Sequence, residues 1–143
     1  MEKGVIVHTL IVNDKNEFLI IRRVATDDAW AGRWDLPGGT LEDGEDPAEG
    51  AKRETLEEVG LVMHNPSLFY YLANIDVKKN KQFFTLIFLA KYEGGIIDLS
   101  DGDHDEYAWI TPENISKYPG VHYMEPCFKV VQEKSHALFE LKK

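Results

Sequence analysis

The sequence lacks the features of secreted, membrane-spanning and polyanion-binding proteins. The sequence has a single cysteine, Cys127, and therefore cannot form an intramolecular disulfide. The lack of disulfides is typical of proteins in a reducing compartment. No stretch approaches the ~18 consecutive apolar residues of a membrane span, and the N-terminal residues lack the basic and then apolar pattern of a signal peptide. The net charge of −9 disfavours nucleic acid and anionic membranes as partners. We therefore expect a cytoplasmic protein with no nucleic-acid or membrane partner.

The remaining composition fits one folded domain over residues 1–143. Its hydrophobic content of 43% is sufficient for one core, and no repeat or low-complexity linker divides the chain. Apolar, β-branched runs predict strands, and cap signals predict a short helix from residue 112. The predicted strands cover residues 4–12, 18–21, 68–75, 82–92 and 106–110. A terminal helix is predicted over 126–141, with candidate buried positions Phe128, Val131, His136, Leu138 and Phe139.

Between the first and second groups of strands the sequence predicts a helix over residues 47–59. Asp46 is a suitable N-cap, Pro47 suits the first helical position, and Gly60 suits the end. The order of strands, helix, strands and helix indicates a mixed α/β domain with a sheet between helices. One face of this helix carries small or apolar residues at spacings of three and four, typical of packing on a sheet: Ala48, Ala51, Thr55 and Val59. We expect the Thr55 hydroxyl to bond back to the Ala51 carbonyl.

The other face of the same helix is strongly acidic. Residues 38–61 hold eight carboxylates, and Glu54, Glu57 and Glu58 are neighbours on a helical surface. Like charges at this spacing repel one another, and a hard divalent cation would offset the repulsion. Arg53 would orient Glu54 by a charge-assisted hydrogen bond. Up to this point, a metal site and a solvated acidic face with an interaction role are both consistent with the residues.

A spaced pattern decides between them. Gly39, Glu45 and residues 53–61, RETLEEVGL, resemble the Nudix box, the signature of the Nudix hydrolases. The lead-in at 34–37, WDLP, is similar to that of the family. So is the pair Asp103-His104 shortly before Trp109. The resemblance implies a Nudix-type α/β/α sandwich with a mixed sheet, as a monomer or a homodimer.

The activity that this resemblance implies is hydrolysis of a nucleoside diphosphate linked to another moiety. Water attacks a phosphorus of the pyrophosphate, and two or three Mg²⁺ or Mn²⁺ ions stabilise the developing charge. A small chain with few insertions favours a nucleoside triphosphate, oxidised or otherwise non-standard, cut to the monophosphate and pyrophosphate. The alternatives are an ADP-ribose or nucleotide-sugar pyrophosphatase, and a Nudix ligand-binding module without turnover.

The resemblance also assigns roles to residues. The metal ligands are Glu54, Glu57, Glu58 and the Gly38 carbonyl, and Arg53 orients Glu54. Glu54 and Glu57 are also catalytic, and the general base is either Glu54 or a loop acid. The first candidate for that loop acid is Asp103, and the next candidates are Asp105 and Glu106. The expected substrate contacts are Arg23, Trp34, Gly39 and Phe84.

Overall fold

Strands and helices follow one another in the predicted order. A computed structural model describes residues 1–26 and 30–134. Within them the strands are β1 Glu2–Val12, β2 Phe18–Arg23, β3 Trp34–Asp35, β4 Gly38–Thr40, β5 Ser67–Asp76, β6 Lys81–Lys91 and β7 His104–Ile110. The helices are α1 Pro47–Val59, a 3₁₀ helix Pro112–Lys117, and α2 Met124–Glu133.

The seven strands form one mixed sheet in which β1 is central. β1 runs parallel to β6 over its whole length, from Glu2 opposite Lys81 to Val12 opposite Lys91. It also pairs antiparallel with β2 and with the short β4. The pairing with β4 brings the Gly38 and Gly39 turn against the centre of the sheet, which fixes the position of this turn relative to α1.

Helices cover both faces of the sheet. Side chains of β1 alternate between the two faces, and the apolar residues on each face pack against a different helix. Val7 packs in a cluster with Ala51 of α1, whereas Leu10 and Val12 lie in the larger core with Phe128 of α2. Ile11 joins Val59 in a third cluster on the α1 side. The predicted mixed α/β fold with helices on either side of a sheet is confirmed.

Helix α1 begins and ends at the predicted residues. The Asp46 carboxylate accepts hydrogen bonds from two backbone N–H groups of the first turn, at 3.0 and 3.3 Å. Gly60 ends the helix with a φ of 74°, a left-handed conformation that favours glycine. Thr55 is buried as predicted, but its hydroxyl donates to the Thr9 hydroxyl at 3.1 Å and not to the Ala51 carbonyl. The facing strand supplies an acceptor that the sequence of the helix cannot reveal.

Helix α2 differs from the prediction at both ends. It starts at Met124, two residues earlier than expected, and ends at Glu133, because Lys134 leaves the helical conformation. Pro126 therefore sits inside the first turn, where a missing N–H costs no intrahelical hydrogen bond. Phe128 and Val131 are buried as predicted. His136, Leu138 and Phe139 lie outside the described residues.

Within residues 1–26 and 30–134, no helix is long and apolar enough to cross a membrane.

Candidate active site

The acidic face of α1 is organised by Arg53. The guanidinium Nη1 donates to Glu54 Oε1 at 2.9 Å and approaches both carboxylate oxygens of Glu57 at 3.4 Å. Nη2 donates to the Thr40 carbonyl at 3.2 Å, which ties the helix to β4. Arg53 thus contacts Glu54, Glu57 and the Thr40 carbonyl at the same time.

Arg53 is itself held by Glu45 in the loop before the helix. Nε donates to Glu45 Oε2 at 2.7 Å and Nη2 to Oε1 at 2.9 Å, a bidentate pair. These hydrogen bonds lower the pKa of the Glu45 carboxyl to about 2. The Glu45, Arg53 and Glu54 side chains therefore form a chain that fixes the direction of the Glu54 carboxylate.

Gly39 leaves room for that carboxylate. A Cβ atom at Gly39 would lie 2.5 Å from Glu54 Oε2, closer than any side chain tolerates. Gly38 is restricted differently, since a Cβ there would collide with the Val7 carbonyl and the His8 ring. The two adjacent glycines allow close packing of β4, against Glu54 on one side and against β1 on the other.

The Glu58 side chain is largely buried beside the Gly38 turn. Its Oε1 accepts a hydrogen bond from the Gly38 N–H at 2.7 Å. Burial raises the pKa of the Glu58 carboxyl to about 8, despite that hydrogen bond. Burial also raises the pKa of Glu54, against the effect of Arg53. Both carboxylates are in an environment that disfavours negative charge, and a cation would offset this cost.

Asp101 from the loop before β7 and His104, the first residue of β7, complete the cluster at Glu58. One ligand atom each from Glu58, Asp101 and His104 lie within 4.8 Å of one another. His104 Nδ1 is 3.8 Å from Glu58 Oε2, and burial lowers the pKa of the imidazole. Asp101 was not predicted as a site residue because the family pattern points to Asp103, two positions later.

The other acids of this segment, one in the loop and two in β7, have different surroundings. Asp103 is exposed, and its backbone N–H donates to Asp101 Oδ1 at 3.1 Å. Asp105 accepts from Arg22 Nε at 2.8 Å, and Glu106 lies 3.0 Å from Arg22 Nη1. Asp105 and Glu106 are thus engaged by a cation, whereas Asp101 faces Glu58.

A cavity of about 290 Å³ lies beside the two glycines. This volume is close to the lower end of the usual range for small-molecule pockets, ~300–1,000 Å³. At its edge the rings of Trp30 and His122 stack, with centroids 5.7 Å apart. The lining residues are Ile6, His8, Arg23, Trp30, Asp35, Gly38, Gly39, Thr40, Val121, His122 and Tyr123.

The floor of the cavity is a buried polar network around Asp35. Arg23 Nη1 donates to Asp35 Oδ2 at 2.9 Å, and the Tyr123 hydroxyl donates to Asp35 Oδ1. His8 Nδ1 lies 2.9 Å from the Leu36 carbonyl and 3.1 Å from the Tyr123 hydroxyl. Burial and Asp35 raise the pKa of Tyr123 well above its usual value, which keeps the phenol protonated. The network fixes the Arg23 side chain at the cavity wall.

The four residues expected to contact substrate divide into two pairs. Arg23 and Gly39 line the cavity. Trp34 is instead buried in the α2-side core, edge-on to Tyr118 with ring centroids 5.2 Å apart. Phe84 lies in register with Val5, and alternation puts it on the sheet face of Leu86 and α1, away from the His8 face. Adjacent residues of a strand point to opposite faces, and the position of Phe84 along β6 therefore directs its side chain away from the cavity.

The donor set fits a divalent cation. Glu54, Glu57 and Glu58 offer carboxylate oxygens, which hard cations prefer. His104 adds two ring nitrogens that are buried and have no hydrogen-bond partner among the described residues. Carboxylates with raised pKa values and an unpaired buried imidazole are groups that cation binding would stabilise.

Comparison with known proteins shows the family of this chain. The sequence model of the NUDIX domain matches residues 2–130. The chain therefore belongs to the NUDIX family, as its Gly39 to Leu61 pattern predicted.

Three relatives show the range of the similarity. A MutT-like protein of Streptomyces ambofaciens is 30% identical over 108 residues, covering 76% of this chain and 64% of the relative. The 8-oxo-dGTP diphosphatase of Escherichia coli is 42% identical over 69 residues, 48% of this chain and 53% of that protein. The nucleoside triphosphatase NudI of Salmonella heidelberg is 28% identical over 126 residues, 82% of this chain and 89% of NudI. The first two relatives thus extend well beyond the part that this chain matches.

A solved structure matches over nearly the full length. The MutT protein of Methanosarcina mazei superposes with a TM-score of 0.81 at 30% identity, covering 94% of this chain and 96% of that protein. The mixed α/β architecture is therefore that of a MutT-type Nudix protein.

Proposed function

We propose that this chain is a metal-dependent pyrophosphohydrolase. Its substrate is a nucleoside triphosphate, oxidised or otherwise non-standard, which it cuts to the monophosphate and pyrophosphate. The observation that carries the proposal is that the cavity and the acidic face of α1 are separated by the Gly39 backbone. Gly39 lines the cavity on one side and contacts the Glu54 carboxylate, oriented by Arg53, on the other.

The acidic face of α1 supplies the chemistry in this proposal. Glu54, Glu57, Glu58 and the Gly38 carbonyl hold two or three Mg²⁺ or Mn²⁺ ions. When bound, these ions supply positive charge that stabilises the transferring phosphoryl group. Arg53 keeps Glu54 in position, and Arg23 carries a fixed positive charge at the cavity wall for a phosphate oxygen.

The cavity supplies the recognition. The exposed rim residue Trp30, stacked on His122, offers an aromatic face to a nucleobase. The names of the relatives support a triphosphate, because one is an 8-oxo-dGTP diphosphatase and another a nucleoside triphosphatase.

A nucleotide panel with Mg²⁺ tests the function. We expect the highest kcat/KM with dGTP or 8-oxo-dGTP, and pyrophosphate as the released product. Turnover of ADP-ribose or UDP-glucose in preference to triphosphates would replace this proposal with a diphosphate-linked substrate. Tight nucleotide binding without release of phosphate or pyrophosphate would indicate a binding module.

The loop acids give a second prediction. We expect Asp103→Asn to lower kcat more than it changes KM, because a general base acts in the transition state. Asp101→Asn should instead weaken cation binding, since the Asp101 carboxylate belongs to the Glu58 cluster. Asp105→Asn is the matched control, because Asp105 is paired with Arg22 and should leave both quantities nearly unchanged.

Kinetics and Mn²⁺ titration of the three variants distinguish the roles. A large kcat loss in the Asp105 variant would shift the loop assignment by two residues. Normal kcat in the Asp103 variant would leave Glu54 as the base.

Cation addition should also stabilise the fold. An ion that binds only the native state adds RT ln(1 + [L]/Kd), which is about 2.7 kcal/mol at a hundred times Kd. We expect the melting temperature to rise between EDTA and millimolar Mg²⁺. Glu54→Gln/Glu58→Gln, which lacks two of the carboxylates, is the control and should lose most of the rise. An unchanged wild-type melting temperature at saturating Mg²⁺ would contradict a cation site.

A further inference from the structure

The imidazole of His104 is a buried polar group that is not among the four cation ligands of the proposed function. The residue is only 4% exposed, and neither ring nitrogen has a hydrogen-bond partner within residues 1–26 and 30–134. Buried polar groups nearly always have a partner, because losing water without replacement is costly. The position of His104 therefore requires an explanation.

Local strand geometry brings His104 to this place. In the pairing of β2 with β7, Arg22 is opposite Glu106 and Arg23 is opposite His104, which leaves Asp105 as an extra residue. Such a bulge redirects side chains and is frequent beside active sites. Without it, Asp105 would stand opposite Arg23, and His104 would be displaced from Glu58.

Two carboxylate acceptors, Glu58 and Asp101, lie close to His104, and Arg23 is the cation near it. Glu58 Oε1 is already occupied by the Gly38 N–H, whereas Oε2 lies 3.8 Å from His104 Nδ1. Asp101 adds a second carboxylate within 4.8 Å. Two ligand atoms on one ion, each at roughly 2.1 Å from it, can stand up to ~4.2 Å apart. The separation of Glu58 Oε2 and His104 Nδ1 is too long for a hydrogen bond and compatible with a shared cation.

We infer that His104 is a nitrogen ligand which, with Glu58 and Asp101, forms a mixed nitrogen and oxygen cation subsite that prefers transition-metal ions to Mg²⁺. The inference rests on the proposed metal-dependent function and adds to the carboxylate ligands of α1. Imidazole is a common ligand of transition-metal ions, whereas Mg²⁺ takes oxygen ligands and retains water. His104 thus determines which cation this subsite selects.

The test is electron spin echo spectroscopy of the protein loaded with one equivalent of Mn²⁺. We expect modulation from a directly bound ¹⁴N nucleus, which changes to the ¹⁵N pattern when the protein is labelled with [¹⁵N]histidine. The signal should vanish in His104→Gln and persist in His64→Gln, a histidine exposed beside Glu93. His104→Gln should weaken Mn²⁺ binding by about tenfold or more, since even loss of a group that only hydrogen-bonds a metal ligand typically costs 10- to 100-fold, with a smaller loss for Mg²⁺.

Each outcome bears on a separate statement. Mn²⁺ that binds without histidine nitrogen coupling overturns this inference and leaves the carboxylate site of the proposed function intact. Failure of wild-type protein to bind Mn²⁺ overturns the metal dependence of the proposed function as well. The labelled wild-type measurement needs no variant, and an unfolded His104→Gln protein therefore does not prevent a decision.

Discussion

We expect Glu58→Gln to lower kcat by about 100-fold or more while the fold is retained. The Glu58 side chain is largely buried, and it faces both the Gly38 turn and His104 at the start of β7. A cation ligand there acts on the charge that develops in the transition state. Removing the negative charge therefore affects turnover directly.

The substitution is close to isosteric. The amide side chain of the variant would retain an oxygen acceptor for the Gly38 N–H, which now donates to Glu58 at 2.7 Å. The change also removes a charge that burial disfavours, the cause of the raised pKa of about 8. We therefore expect an unchanged or higher melting temperature without metal.

Steady-state kinetics at several Mg²⁺ concentrations provide the measurement. Glu49→Gln is the matched control, because Glu49 lies exposed in the first turn of the same helix and pairs only loosely with Lys52 at 3.4 Å. It should retain nearly full activity. Wild-type kcat for Glu58→Gln at saturating Mg²⁺ would remove Glu58 from the machinery.

Gly39→Ala is expected to reduce kcat/KM by about 10- to 100-fold with little loss of stability. The new Cβ would lie 2.5 Å from Glu54 Oε2 and 2.6 Å from its Cδ. The carboxylate is the end of a flexible side chain and would move aside. Movement breaks its 2.9 Å hydrogen bond to Arg53, and misplacement by about 1 Å can cost 100-fold in rate.

Gly38→Ala provides the contrast. Its Cβ would meet the Val7 carbonyl of the central strand, which cannot move aside. We therefore expect a lower melting temperature for Gly38→Ala and a normal one for Gly39→Ala. Thermal melting of the two variants separates a structural glycine from one that makes room for a catalytic side chain.

A double mutant identifies the target of the Gly39 effect. If Gly39→Ala acts through Glu54, its cost should largely disappear in a Glu54→Gln background. Additive losses would instead mean that the new methyl group blocks substrate in the cavity, since Gly39 also lines that wall.

The sequence alone determined the helix that carries the chemistry. Asp46, Pro47 and Gly60 delimit α1, and these signals act within a few residues of one another. The i, i+3 and i+4 spacing of the three glutamates and the adjacency of Arg53 and Glu54 are equally local. For this reason the box could be recognised, and the Arg53 contact anticipated, without a structure.

The tertiary structure alone decided what surrounds that helix. Tyr123 reaches Asp35 from 88 residues away. His104 comes close to Glu58 at the end of β7 where the strand pairing has a bulge that no local pattern predicts. Contacts of this kind depend on strand register, because a shift by one residue moves a side chain to the opposite face of the sheet. The face of Phe84 and the burial of Trp34 were set in the same way, by how distant strands align and not by the residues themselves.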